Sequence, residues 1–276
     1  MTVKRTLKRW LPLALVTLTL FGCGASSDPL SQVRGAANKT LALQWVRYTL
    51  TFERPTLFDP SIRIVGGRAA YNLKARLGYQ VLDLQKRGGA SQLLWFDLTP
   101  TALLVDPDPP PAGALPAGKI WISARFSEKN AVAAQAEGLA AELPLDELAW
   151  GARTAEHLRS SVAGHVPMDE YRVTVDLSKA LSAARRAQLM SVAAAIGSEI
   201  RAAHSTRLSL LVWVNGPGLV GRIDQAVPGS GLGTVSLVFS SFTLRYTGTL
   251  PPSSQIVALT SLSAGDRSIW AVATGS

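Results

Sequence analysis

Few side chains in this sequence stand where chemistry would need them. The three histidines, His157, His165 and His204, match no metal-ligand spacing. His157 and His165 flank Gly164 eight residues apart, and His204 ends a helical pattern, where a cationic ring suits the negative end of a helix. All three read as surface or helix-end residues. Neither a G-x-S-x-G nucleophile elbow nor an H-E-x-x-H zinc motif occurs. Gly229-Ser-Gly-Leu-Gly233 has the composition of a phosphate cradle, but it lies between two strand patterns, without the helix N-terminus that gives such a motif its physical basis. It reads as a hairpin loop. Asp106 with Asp108, and Asp146 with Glu147, are the candidate acid pairs; solvated loop or helix-start carboxylates are the simpler reading. No catalytic residue, metal or cofactor is expected, and the chain does not read as an enzyme.

One side chain has a reaction written around it. Lys4, Arg5, Lys8 and Arg9 form a positive n-region, and Leu11 to Phe21 is an apolar stretch too short to span a bilayer comfortably. Leu20-Phe21-Gly22-Cys23 follows, and Cys23 is the only cysteine in the chain. A small residue before a lone cysteine at this place matches the bacterial lipobox: residues 1–22 are cleaved as a signal peptide and Cys23 receives a diacylglycerol thioether, with acyl chains of the palmitate kind. The alternative is an ordinary secretory signal in which Cys23 is incidental. A chain without other cysteines agrees with an exported protein that uses no disulfides. Two or three acyl chains anchor stably, where one is marginal, and no later segment reaches the roughly 20 uninterrupted apolar residues of a membrane span. The expected place is the outer face of the cell membrane, tethered at Cys23.

The chain has 276 residues and a formal charge of +9, of which the n-region supplies four. The remaining excess favours an anionic membrane surface or is a solvated exterior without a partner. Its arginines and lysines are scattered without aromatic interleaving, so no nucleic-acid partner is expected.

The elements follow from periodicity. The clearest stretch is Tyr171 to Asn215. Tyr171, Val173, Val175 and Leu177 alternate with polar residues, as in a strand with one buried face. From Ser178, a candidate cap, Leu181, Ala184, Leu189, Val192, Ile196, Ile200 and Ala203 recur at helical spacing, with Lys179, Arg185, Arg186, Glu199 and Arg201 largely elsewhere. The spacing predicts one helix of roughly 26 residues, about 39 Å long. Leu208, Leu210, Val212 and Val214 then alternate up to the turn signal Asn215-Gly216.

Elsewhere, residues 23–38 read as a tether with a helical turn near Leu30 to Ala37, and residues 39–276 as one domain. Strands are expected from Val46 to Phe52, at Ile62 and Ile64, along Ala69 to Leu77 after a Gly66-Gly67 bend or turn, and at 81–84, 93–98, 102–105 and 118–126. Four more are expected at 219–227, 234–242, 255–262 and 268–273. Asp106 to Pro116 is an extended surface loop. In 127–163 helical spacing is interrupted by Pro144, with short helices expected at Leu145 to Trp150 and Thr154 to Val162. Trp121 and Trp213 fall on the opposite parity from the apolar runs of their strands.

About 10–11 strands joined by short turns, with helices inserted in the middle, predict an α+β fold. Its core is a curved antiparallel half-barrel sheet whose concave apolar face the helices cover, since a sheet of that size curls. Leu115-Pro-Ala-Gly-Lys-Ile-Trp121, Glu170-Tyr-Arg-Val-Thr-Val-Asp-Leu177 and Leu210-Leu-Val-Trp-Val-Asn-Gly-Pro-Gly-Leu219, together with the lipobox, resemble the LppX/LprG family of actinobacterial envelope lipoproteins, related in fold to the carrier LolA. Asn215 departs from the family's usual Asp, and 128–162 is unusually rich in alanine.

The resemblance implies a hydrophobic cavity that binds an acylated lipid or lipoglycan and helps move it through the envelope, with an envelope transporter as a candidate partner. Its expected lining is Tyr48, Leu50, Phe52, Tyr71, Leu73, Ile120, Ile122, Val173, Val175, Leu189, Val192, Ile196, Leu210, Val212, Leu237 and Phe239, with Phe126 on the same face. The alternative is a structural or signalling lipoprotein on the same fold, its helices filling the concave face and its surface binding a protein partner.

Overall fold

The computed structural model describes residues 28–52, 62–86, 91–99, 102–108, 115–125, 142–163, 166–226, 233–242 and 250–261. Cys23, Phe126, the helical pattern at 127–139, His165, most of Gly229–Gly233 and the strand expected at 268–273 lie outside the described residues. In chain order the elements are α1 (Pro29–Leu41), β1 (Val46–Phe52), β2 (Ile62–Asn72), β3 (Leu77–Lys86), β4 (Ser91–Leu98), β5 (Ala102–Asp108) and β6 (Trp121–Arg125). Next come α2 (Glu142–Gly151), β7 (Ala152–Ala163), β8 (Val166–Asp176), α3 (Leu177–Arg186), α4 (Met190–Ala203), β9 (Arg207–Asn215), β10 (Val220–Ala226), β11 (Thr234–Ser241) and β12 (Ile256–Ala258).

The twelve strands among the described residues form one sheet of an α+β fold, in the order β12-β6-β5-β4-β3-β2-β1-β11-β10-β9-β8-β7. Among the described residues it does not close: β12 and β7 are its edges. Each neighbouring pair is antiparallel except β12 with β6, which is parallel. The centre is β1, which joins the two halves by pairing with β2 and with β11. The helices pack mainly over β7–β10.

Local chemistry explains where the chain departs from its periodicity. The long helix expected from Ser178 is two helices. At their junction the amide of Leu189 donates to Ala184 O at 3.0 Å and that of Gln188 to Arg185 O at 3.1 Å, the paired bonds of a Schellman ending, with Gln188 left-handed at φ 58° where glycine is usual. Ser178 is not the cap. Asp176 is, its Oδ1 accepting from the Lys179 amide at 3.1 Å. Pro144 does not interrupt α2; it sits in the first turn, where its missing N–H costs nothing.

Thr154–Val162 is not helical but part of edge strand β7, which pairs with β8 along its length. Its polar residues face solvent and cross to β8: Arg159 Nε lies 2.6 Å from Glu170 Oε2 and Glu156 Oε2 3.0 Å from Arg172 Nη1. Gly66-Gly67 is no turn either. It lies inside β2 beside a register shift, and the reversal comes at 73–76, where Asn72 Oδ1 accepts from the Ala75 amide at 2.8 Å and Arg76 is left-handed. The expected strand 255–262 is reduced to β12 between two short 3₁₀ turns. The Asn215 turn stands as expected, with the Leu219 amide donating to Asn215 Oδ1 at 2.8 Å and Gly218 at positive φ.

Candidate functional site

One face of the sheet carries a continuous row of aligned residues. Cross-strand register places Gly67 of β2 opposite Leu50 of β1, then Leu237 of β11, Ile223 of β10, Val212 of β9 and Tyr171 of β8. A parallel row runs from Phe52 through Val235, Gln225, Leu210 and Val173 to Ala155. Alternation aims both rows the same way, so the two rows, each crossing six strands, present one surface. Gly67 lacks a side chain because a Cβ there would meet Leu50 Cδ1 at 2.9 Å and Leu82 Cδ2 at 3.0 Å.

The helices that meet this surface are tied to it by polar contacts. The Tyr171 hydroxyl donates to Gln32 of α1, and Arg34 of α1 donates to the Ala152 carbonyl. Thr40 Oγ1, buried at the end of α1, accepts from the Val220 amide at 3.0 Å. Val33, Ala36 and Ala37 of α1, Leu145 and Leu148 of α2, Ala180 and Ala184 of α3, and Val192 and Ile196 of α4 all join the core. The helical turn expected near 30–37 is therefore a full helix whose apolar side belongs to the domain.

Of the expected lining residues, Tyr48, Leu50, Tyr71, Leu73, Ile122, Val173, Val175, Val192, Ile196, Leu210, Val212, Leu237 and Phe239 are buried in this one cluster, and Phe52 and Leu189 are half-buried against it. Tyr48 and Phe239 meet with ring centroids 6.0 Å apart. Ile120 lies apart from them, outside any strand and 39 % exposed. Trp213 stands on the other side of β9, under the Arg222 guanidinium at 4.6 Å from its ring. That parity is as read from the sequence.

A second group was not expected. Asp146 and Glu147 are not solvated; both are 0 % exposed. Asp146 is held by Arg76 from the β2–β3 turn, and Glu147 lies against Glu199 of α4, whose Oε1 accepts from Gln225 Nε2 at 2.8 Å. Gln225 is the polar interruption of the second row. Burial raises the pKa of all three carboxyls, and the neighbouring Glu199 raises that of Glu147 further. Glu147 is pushed well above the carboxylate range. Glu199 falls on the polar side of the helical pattern, and nothing local marks it as turned inward. The histidines that can be placed stay peripheral: exposed His157 faces Asp169 at 3.4 Å, and His204 is the left-handed C-cap of α4.

A third feature is an open groove of about 630 Å³ among α1, α2 and α3, its walls including Arg34, Trp150, Asp176, Lys179, Ser182 and Arg186. Among the described residues no His, Cys, Asp and Glu group could hold a metal, and no helix is long and apolar enough to cross a membrane.

No family model and no curated protein matches the sequence. Among solved structures, LprF from Mycobacterium bovis is similar at 12 % identity over 82 % of this chain and 97 % of that one, with a TM-score of 0.46. Lipoprotein LppX from Mycobacterium tuberculosis is similar at 13 % identity over 76 % and 92 %, with a TM-score of 0.43. A DUF1329 family protein from Desulfovibrio piger is similar at 12 % identity over 82 % and 96 %, with a TM-score of 0.34.

Proposed function

We propose that this protein is a lipid-anchored envelope lipoprotein that binds an acylated lipid or lipoglycan between its sheet and its helices and helps move it through the envelope. The observation that carries the reading is the apolar surface shared by six strands from β2 to β8 on a sheet that does not close. Each methylene removed from water contributes about 0.8 kcal/mol, so a chain of roughly 15 gains on the order of 12 kcal/mol. A bilayer offers the same, so such a site holds lipid without trapping it and lowers the barrier to crossing water. This task needs no catalytic group.

The full burial of Val192, Ala193 and Ile196 in the core cluster favours a second reading: helices that fill the face, and a surface that binds a protein. Native mass spectrometry of gently extracted, acylated protein separates the two. A carrier shows the mass of a multi-acyl lipid beyond that of its own anchor. A bare chain, with no lipid exchanged from labelled vesicles, leaves the second reading.

A further inference from the structure

The groove among α1, α2 and α3 combines features that belong together at a lipid headgroup layer. Lys179 and Arg186, one beyond the other along α3, are exposed and form no ion pair among the described residues. Arg34 enters from α1, where one of its guanidinium nitrogens holds the Ala152 carbonyl. The one carboxylate in the wall, Asp176, is already engaged by the Lys179 amide at 3.1 Å and by Arg153 Nη1 at 3.5 Å. Half-buried Trp150 lies among these cations, and an amphipathic indole beside basic side chains is the composition favoured where hydrocarbon meets water.

Position supplies the second argument. From Cys23 to Pro29 the chain advances only six residues, at most about 21 Å even when fully extended. Arg34 lies five residues further along α1, about 7.5 Å up the helix axis. An acylated Cys23 therefore keeps this groove within roughly 30 Å of the bilayer. The opposite sheet edge, β12, is the far end of a twelve-strand series.

We propose that the α1–α2–α3 groove is the face with which the protein docks on its own membrane, Arg34, Lys179 and Arg186 taking the phosphates of anionic lipids while Trp150 sits at headgroup level. The inference rests on acylation of Cys23. It adds that the short tether and the basic groove together fix one orientation, with β12 away from the bilayer. Basic residues close to an anionic surface each strengthen binding about fivefold, an attraction that fades beyond a Debye length.

The test uses the full acylated chain in vesicles of phosphatidylcholine, with or without about one third phosphatidylglycerol. Because Cys23 is the only native cysteine and its thiol is blocked by the anchor, Ser182→Cys in the groove or Ser254→Cys near β12 gives a single site for a fluorophore. A headgroup nitroxide lipid then reports proximity. With phosphatidylglycerol present, the label at 182 is expected to be quenched at least about twice as strongly as that at 254. The difference should collapse in about 1 M salt, where the Debye length is about 3 Å, and in Lys179→Gln/Arg186→Gln. Equal quenching at both sites overturns the proposal, as does a difference indifferent to phosphatidylglycerol and salt, or a mass showing no diacylglycerol at Cys23. Co-extracted lipid is weighed separately. Bound lipid with uniform quenching removes the docking face alone, and selective quenching without bound lipid removes the carrier reading alone.

Discussion

Arg76 and Asp146 lie seventy residues apart in sequence and meet as a two-pronged pair, Nη1 to Oδ2 at 2.8 Å and Nη2 to Oδ1 at 3.2 Å. The arginine stands in the turn between β2 and β3, and the aspartate is buried in the first half of α2. The contact joins one half of the sheet to the helices over the other. Burial outweighs the guanidinium, so the Asp146 carboxyl still titrates above its ordinary range. Arg76→Met should cost about 3–5 kcal/mol, because it leaves a buried carboxylate without its partner. Adding Asp146→Asn should recover part of that loss. Denaturant melts of the single and double variants check both.

Glu147 and Glu199 set a pH dependence. Both carboxyls are raised by burial, Glu147 the more strongly. Above about pH 4.3, where an unfolded glutamate loses its proton, the folded chain binds more protons than the unfolded one. Stability is therefore full at acid pH and falls as pH rises through the folded pKa values. Glu147→Gln should flatten that fall. At pH 8 the variant is expected to be more stable than the parent by on the order of 2 kcal/mol, a difference that shrinks toward pH 4. Thermal melts across that range read it directly, and a parent more stable than the variant at pH 8 contradicts it.

Thr40 both donates and accepts in a buried position, to Ala36 O at 2.8 Å and from the Val220 amide at 3.0 Å. Thr40→Val keeps the shape and strands that amide. The expected cost is about 1–3 kcal/mol, with hydrogen exchange at Val220 rising in step. Unchanged protection there would mean that α1 is not held to β10 by this bond.

Cys23→Ser tests the anchor. If acylation holds the protein to the membrane, the variant should leave the membrane fraction almost completely while its thermal stability is unchanged, since a diacyl anchor is what makes attachment stable. A variant that stays with the membrane places the attachment elsewhere.

Strand positions were legible where alternation is clean and one face is buried. Val46 to Phe52, Tyr171 to Asp176 and Leu208 to Val214 alternate because the pleat sends successive side chains to opposite sides, and β1, β8 and β9 lie there. Edge strand β7 was not legible: with polar residues on both faces it has no apolar period to read, and only its pairing with β8 makes it a strand. The break between α3 and α4 carries no glycine or proline, so a helical period ran across it undisturbed.

For the candidate site, the apolar types at Tyr48, Leu50, Val212 and Leu237 determined which faces must be buried. Which strand meets which was settled only by tertiary pairing, and with it the single row from β2 to β8. The same holds for Glu147, Glu199 and Gln225. Local sequence marks each as an ordinary polar residue, because the burial that changes its chemistry comes from segments far away in the chain. The sequence by itself determined an antiparallel α+β plan, because alternation is written in neighbouring residues, and it is the source of the expectation that Cys23 carries a lipid anchor. Only the tertiary structure decided what lies in the interior, because burial belongs to the assembled elements and to none of them alone.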